Sequence, residues 1–404
     1  MTTEGHKPPA AHHRAVVLVA AATALSLLGD QALYAILPTM YRSLGLTYFQ
    51  VGVLLSVNRW IRLLTNHLAE RLIHRVNSTA LFLAALVLGA ALTALYGFWP
   101  IFPALLAARI LWGLSWSVIN QIGIMTCVDA GPAGNAARTM GSYSGLSRVG
   151  SIAGMFAGAY LFDLLGFGHS FVILGAVTLL AVLPGATARR SLDSHPSEYR
   201  RPRGKAFSNH TVGLLACGLL VSCAGTGVIE STLGYVLKRR LGEQLPIGSI
   251  VIGIATFNGL VLASRHVINL LGAPALGGLA DRIGHRKGTV IFFCITTAIL
   301  AAAAVAPSVW ILLCLVVMLF VCLTCLHVVL ATEAGGCGSR MFAWFASASD
   351  LGAALGPLAI WPLLKAFPSP SAPFVIAAGL SLAGAGAALL RLRQAGAAGR
   401  EPVK

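Results

Sequence analysis

The chain is 404 residues long, 57% hydrophobic and only 10% charged, with a formal net charge of +16. A water-facing globular surface needs roughly a quarter of its residues charged, so a soluble protein is excluded. Apolar runs of about 20 residues, the length that crosses ~30 Å of hydrocarbon, recur along the whole sequence, whereas the short alternating segments of a membrane barrel do not.

The first apolar run, 15–39, follows a short polar start and carries Asp30. It lacks a small-residue cleavage site and is too long for a signal-peptide core, so it is expected to stay as a membrane helix. Eleven further spans follow at 50–72, 78–97, 101–127, 139–163, 169–187, 211–237, 248–276, 288–306, 308–331, 341–364 and 372–391. Pro100, Pro103, Pro246, Pro274, Pro307, Pro368, Pro370 and Pro373 lie at or near their ends, where a missing amide donor costs least. Residues 188–210 form a long polar, proline-containing stretch at mid-chain, where a linker belongs. The expected architecture is all-α integral membrane: twelve transmembrane helices as two six-helix bundles, 1–187 and 211–404, joined by a cytoplasmic linker at 188–210 and ending in a short cytoplasmic tail.

The eight cysteines lie mostly within apolar runs, so no disulfide framework is indicated. Cys322 and Cys325 are spaced as CxxC inside an apolar run; they read as small packing residues, and no metal is expected. Nineteen Lys and Arg fall on the side of the two termini, five on the other side and five within spans. The positive-inside bias therefore places both termini in the cytoplasm of a bacterial inner membrane. The net charge is mostly topology and headgroup attraction, and no nucleic acid is expected as a partner.

Two internal echoes divide the chain. Leu68, Ala69, Glu70, Arg71, His74 and Arg75 fall opposite Leu279, Ala280, Asp281, Arg282, His285 and Arg286 at a constant shift of 211. At a shift of 202, Arg138 matches Arg340, Gly150 matches Gly352, and Gly154 matches Gly356. Such duplication is the mark of a membrane protein built from homologous halves. The glycines, spaced i and i+4, give spans five and eleven a face that lets a neighbour approach closely. At the centre of the match Arg148 stands where the second half has Asp350, an exchange of charge that packing does not require.

With these residues in view, the chain resembles the major facilitator superfamily of transporters over nearly its whole length. Gly277–Lys287 closely matches that family's signature loop, Gly-x-x-x-Asp-Arg-x-Gly-Arg-Arg/Lys, with His285 replacing the first of the paired basic residues. The copy at 66–75 departs further, with Asn66, Glu70 and Ile73 in place of Gly, Asp and Gly. Arg109-x-x-x-Gly113 matches the helix-four element. The glycine-rich helix-five element of antiporters is only partly present at 141–158, which lacks its proline; Gly356-Pro357 stands in span eleven instead. The resemblance implies the superfamily fold and a cytoplasmic gate. In that gate Glu70 would meet the start of span eleven near Arg340, and Asp281 the start of span five near Arg138, where helix dipoles favour negative charge. Arg71, Arg282 and Arg286 complete the gate charges.

Ionisable groups at membrane depth are costly and are functional candidates by default. They are Asp30, Arg59, Arg62, Arg109, Arg148, Glu230, Arg265, His266 and Asp350. Three acids face five arginines, so some guanidinium must meet water, a span end or an anionic ligand. Arg59 and Arg62 share one helix face. Arg109 could pair with Asp30 at similar depth, or bond backbone carbonyls of span one. Glu230 lies in the outer half of its span; Asp350, in the inner half, could pair with Arg148 or Arg265. An acid in low dielectric takes or releases a proton according to whether a cation stands beside it, which makes Asp30, Glu230 and Asp350 the candidate proton carriers. Trp60, Trp112, Trp116, Tyr34, Phe257, Trp344 and Phe345 are candidates to line a cavity, although an aromatic in such a helix more often faces lipid or packs.

The sequence therefore predicts a secondary transporter, not an enzyme, working by alternating access as a monomer in the lipid bilayer. No phosphate-cradling loop is present, so no cofactor is expected and the proton gradient would supply the energy. The expected activity is proton-coupled efflux (antiport) of a small anionic or zwitterionic metabolite or drug; proton-coupled uptake (symport) of an organic anion is the alternative.

Overall fold

The computed structural model describes residues 9–130, 136–190 and 209–398. The elements in chain order are α1 (Pro9–Ser26), α2 (Leu28–Met40), α3 (Tyr48–Arg75), α4 (Ser78–Phe98), α5 (Phe102–Ala130), α6 (Ala136–Leu179), α7 (Val182–Arg190), α8 (Asn209–Ser222), a π-helical segment (Cys223–Glu230), α9 (Ser231–Leu241), β1 (Gln244–Ile247), β2 (Ile250–Gly253), α10 (Ile254–Ile283), α11 (His285–Ala304), α12 (Val309–Gly336), α13 (Ser339–Ala366) and α14 (Ala372–Ala398). Their compositions are apolar on nearly every face because neighbouring helices and lipid make the same demand. The polar ends are capped locally: Asn77 accepts from the amides of Thr79 and Ala80, and Ser308 accepts from that of Ile311.

Nine stretches among the described residues are long and apolar enough to cross a membrane. The Thr139–Arg189 stretch, at 51 residues, is long enough for two crossings and bends at Gly166, where φ is +76°. Helices α3 and α13 have 28 residues each but are less apolar than those nine. The set is consistent with twelve crossings.

Three sequence expectations change. The residues at 248–253, expected to open span eight, instead belong to a hairpin: β1 pairs antiparallel with β2, and Gly248 at its tip has φ +62°. Helix α10 therefore begins at Ile254. The turn expected across 277–287 is much shorter, because α10 continues to Ile283 and only Gly284, at φ +83°, breaks the helix before α11. A left-handed backbone there explains the glycine of the motif. Span one is split at Leu27, whose amide is shared between the carbonyls of Thr23 and Ala24 at 3.3 and 3.2 Å.

By packing, the chain divides into two compact units. Unit 1 comprises Met1–Ala35 and Ile61–Tyr199; unit 2 comprises Ile36–Trp60 and Arg200–Lys404. This division differs from the repeat-based one in assigning 36–60 to unit 2. Most of the linker expected at 188–210 lies outside the described residues. Within unit 1, α6 packs on α1 and α4. Within unit 2, α13 packs on α8 and the π-helical segment, and α11 packs on α12 and α14.

The repeated glycines make the closest of these contacts. A methyl group at Gly150 would overlap the carbonyl of Ala24, and one at Gly352 the carbonyl of Leu219. At Gly356 the obstruction is the backbone of Gly227. The small-residue face expected from the sequence is thus the seam on which α6 meets α1 and α13 meets α8. Gly150→Val should push α6 off α1 and cost at least the roughly 1–3 kcal/mol of an overpacked core. A melting curve of the purified protein checks this, and an unchanged midpoint would contradict the seam.

Candidate functional site

In unit 1 the break at Leu27 starts a new helix, so Asp30 falls in the first turn of α2, where the dipole favours a negative charge. Its carboxylate forms an ion pair with Nη1 of Arg109 on α5. Arg109 is 0% exposed and Asp30 3%. Nη2 of Arg109 donates to the Tyr34 hydroxyl at 3.0 Å, and the guanidinium stands 5.1 Å from the Tyr34 ring centroid. Gln31 Nε2 donates to the second oxygen of Asp30 at 3.1 Å. Of the two partners open to Arg109 from sequence, the Asp30 carboxylate is therefore engaged. Further along the same stripe of α5, Trp112 and Trp116 stack at 5.6 Å with an 8° interplanar angle. Ser117 shares a 2.8 Å hydrogen bond with Thr65 of α3, one helical turn from Arg62.

In unit 2 the acid again follows an irregular helix. Glu230 closes the π-helical segment and forms an ion pair with Arg265 of α10. Arg265 also donates to Thr226 Oγ1 at 3.0 Å, inside that segment. Wide turns of this kind often mark functional positions. The depths inferred from sequence place Glu230 and Arg265 apart. They meet because the hairpin delays the start of α10, so Arg265 lies nearer that helix's beginning than expected. Asp350 of α13 stands 3.7 Å from Arg59 of α3, a pairing the sequence reading did not name. That pair is looser, with side chains 18% and 23% exposed. His266, Arg62 and Arg148 are half-buried. Each of the three intramembrane acids thus stands against an arginine.

Of the gate candidates, Glu70 is half-buried, while Arg71, Arg282, Arg286 and Arg340 are exposed. The side chains of Arg138 and Asp281 lie outside the described residues. The acid that Arg286 meets is Glu333, at 3.7 Å, which also accepts from Arg391 at 2.8 Å. Sequence reasoning missed Glu333, although an acid just past the long apolar run of span ten is a usable signal. Arg391 stands opposite Arg189 at the 202-residue shift of the second echo. Arg189 is held differently, by the hydroxyls of Ser78, Thr79 and Thr126.

Four aromatic residues not singled out in the sequence form a cluster in unit 2. Tyr41 and Tyr235 meet Trp361 edge-on at 5.3 and 6.0 Å, and Tyr48 lies 6.1 Å from it. Arg42 donates to both the Tyr41 and Tyr48 hydroxyls at 3.2 Å. Burial pushes the Tyr41 phenol above its ordinary range, and the Tyr48 hydroxyl adds to the effect. At Tyr48 burial acts upward too, but hydrogen bonds from Tyr41 and Arg42 outweigh it and hold that phenol below its ordinary value. The cluster ties the loop after α2 to α9 and α13.

Comparison with known proteins decides the family. Residues 19–265 match the sequence profile of the Major Facilitator Superfamily. The chain belongs to the major facilitator superfamily. It is 24% identical over 294 residues to the human MFS-type transporter SLC18B1, an alignment covering 70% of this chain and 61% of that protein. It is 25% identical over 266 residues to the uncharacterised MFS-type transporter YuxJ of Bacillus subtilis, covering 63% and 66%. These alignments span only about three fifths to two thirds of the relatives' lengths. Among solved structures, a bacterial homologue of the human lysosomal transporter Spinster aligns with a TM-score of 0.77 at 14% identity, covering 94% of this chain and 96% of that one. A POT family transporter in complex with 5-aminolevulinic acid aligns at 0.74 and 12%, covering 97% and 96%. At such identities the likeness shows the shared fold. This superfamily member is a multi-pass membrane protein of a family of small-solute transporters, and its relatives are named as transporters, not enzymes.

Proposed function

We propose that this protein is a proton-coupled secondary transporter that exports a small anionic or zwitterionic organic solute across a bacterial inner membrane. Both termini are cytoplasmic in this reading, and a single chain suffices. The observation that carries it is that three acids within the spans each meet an arginine: Asp30 with Arg109, Glu230 with Arg265, and Asp350 with Arg59. A carboxylate held by a guanidinium stays charged, and it can accept a proton once a competing anion draws the cation away. Solute and proton then exclude one another, which is the requirement for exchange. The arginine surplus favours an anion over a lipophilic cation as the solute.

Proteoliposomes containing the purified full chain, with an imposed pH gradient and a panel of anionic, zwitterionic and cationic solutes, test the reading. Expected is movement of an anionic or zwitterionic solute against the proton flux, abolished by a protonophore. Movement with the proton flux would replace export by uptake. A panel in which only cations move, or in which nothing responds to the gradient, would overturn the proposal.

A further inference from the structure

The three ion pairs account for Arg59, Arg109 and Arg265. Arg148 differs: among the described residues it makes no hydrogen bond and no ion pair. It lies about twelve residues into α6, on the order of 18 Å along the helix from its start, and within a stretch apolar enough to cross a membrane. Nor does it sit on either occupied face of the helix. Gly150, Gly154 and Gly158 pack against α1 and α2, while Val149, Phe156 and Tyr160 form the exposed apolar face. Arg148 falls roughly 100° or more from the centre of both, in line with Ser151 and Met155 at i+3 and i+7. Those two are buried within the protein, so Arg148 leaves the helix on a protein-facing line, with its side chain half-buried. A half-buried cation with no counter-charge among the described residues is destabilising at membrane depth unless something supplies the charge.

We propose that Arg148 is the anchor for the anionic group of the transported solute, a carboxylate or phosphonate on a small organic molecule. The assignment rests on the transport reading above and adds to it the residue and the group it takes. A planar guanidinium grips either anion through two parallel donors, and the neutral amide of the same shape leaves those donors unmet. A solute anion at Arg148 supplies the counter-charge and so stabilises the fold, a familiar trade between stability and function.

The test is made at equilibrium without any gradient, so its outcome does not depend on proton coupling or on direction. The full chain is purified in a non-ionic, phospholipid-free detergent and melted alone, then with a panel of small carboxylates and phosphonates and their matched amides and amines. Arg148→Met should raise the melting temperature of the protein without solute by roughly 2–4 °C, because it replaces a half-buried cation that has no partner among the described residues with an apolar side chain. It should also abolish stabilisation by the anions that stabilise the parent. Arg148→Lys keeps the charge without the fork and should weaken those anions roughly ten- to a hundredfold. A lower melting temperature for Arg148→Met would mark a structural arginine and overturn the proposal. So would unchanged anion affinity in either variant, stabilisation of the parent by the amides or amines instead of the anions, or no stabilisation by any anion. Arg148-dependent stabilisation by added phosphatidylglycerol alone would assign the residue to lipid and likewise overturn it.

Discussion

Arg109→Ala should cost the folded state about 3–5 kcal/mol, the usual penalty for removing one partner of a buried ion pair. Arg109 has no exposed surface and Asp30 almost none, so water cannot take over from the missing guanidinium. The Tyr34 hydroxyl loses a bond at the same time. Asp30→Asn placed in the Arg109→Ala background should restore much of the loss, because the orphaned charge is then gone. Melting temperature and the folded fraction on size exclusion measure both effects. An Arg109→Ala protein melting within about 2 °C of its parent would show that the pair carries no stability. Restored stability should not restore proton-driven transport, since the double variant has no titrating acid on α2.

Asp350→Asn should behave in the opposite way, losing function while keeping the fold. Its partner Arg59 is 3.7 Å distant and both side chains are partly exposed, so the pair contributes under about 1 kcal/mol and the melting temperature should barely move. In proteoliposomes, proton-driven transport should fall at least roughly tenfold, the rate equivalent of about 1.4 kcal/mol, while solute-for-solute counterflow persists. Counterflow needs the conformational cycle and no net proton movement. Proton-driven transport at the parental rate would remove Asp350 from coupling. Loss of counterflow as well would make it a binding or gating residue. The two predictions are separated by burial: the same acid–arginine chemistry dominates stability for the fully buried pair and is nearly silent there for the partly exposed one.

Much of the architecture was legible because a bilayer tolerates few solutions. A run of apolar residues too long for a soluble core must be a helix that satisfies its own backbone. Local signals sharpen the ends, as where the side chains of Asn77 and Ser308 cap the helices that follow them. The duplication at 150/352 and 154/356 was likewise visible, and it correctly foretold the close helical seams. Partners of the charged residues were less accessible. Depth along a span was the only guide to pairing, and it failed for Arg265 because the hairpin of β1 and β2, apolar enough to pass as helix, occupies the start of the expected span. For Asp350 it left out Arg59, which a helix far away in sequence brings within 3.7 Å. The aromatic cluster around Trp361 escaped notice because its members come from 41–48, α9 and α13, with no shared spacing.

The sequence by itself determined the class, the crossings, the repeat and the surplus of intramembrane arginines, because hydrophobic length and charge counts are properties of single segments. Only the tertiary structure decided which arginine answers which acid, that Glu333 gathers Arg286 and Arg391, and that Arg148 meets no acid among the described residues. Pairing depends on distances of a few ångströms between segments far apart in the chain, and electrostatic energy in a low-dielectric interior changes steeply over such distances.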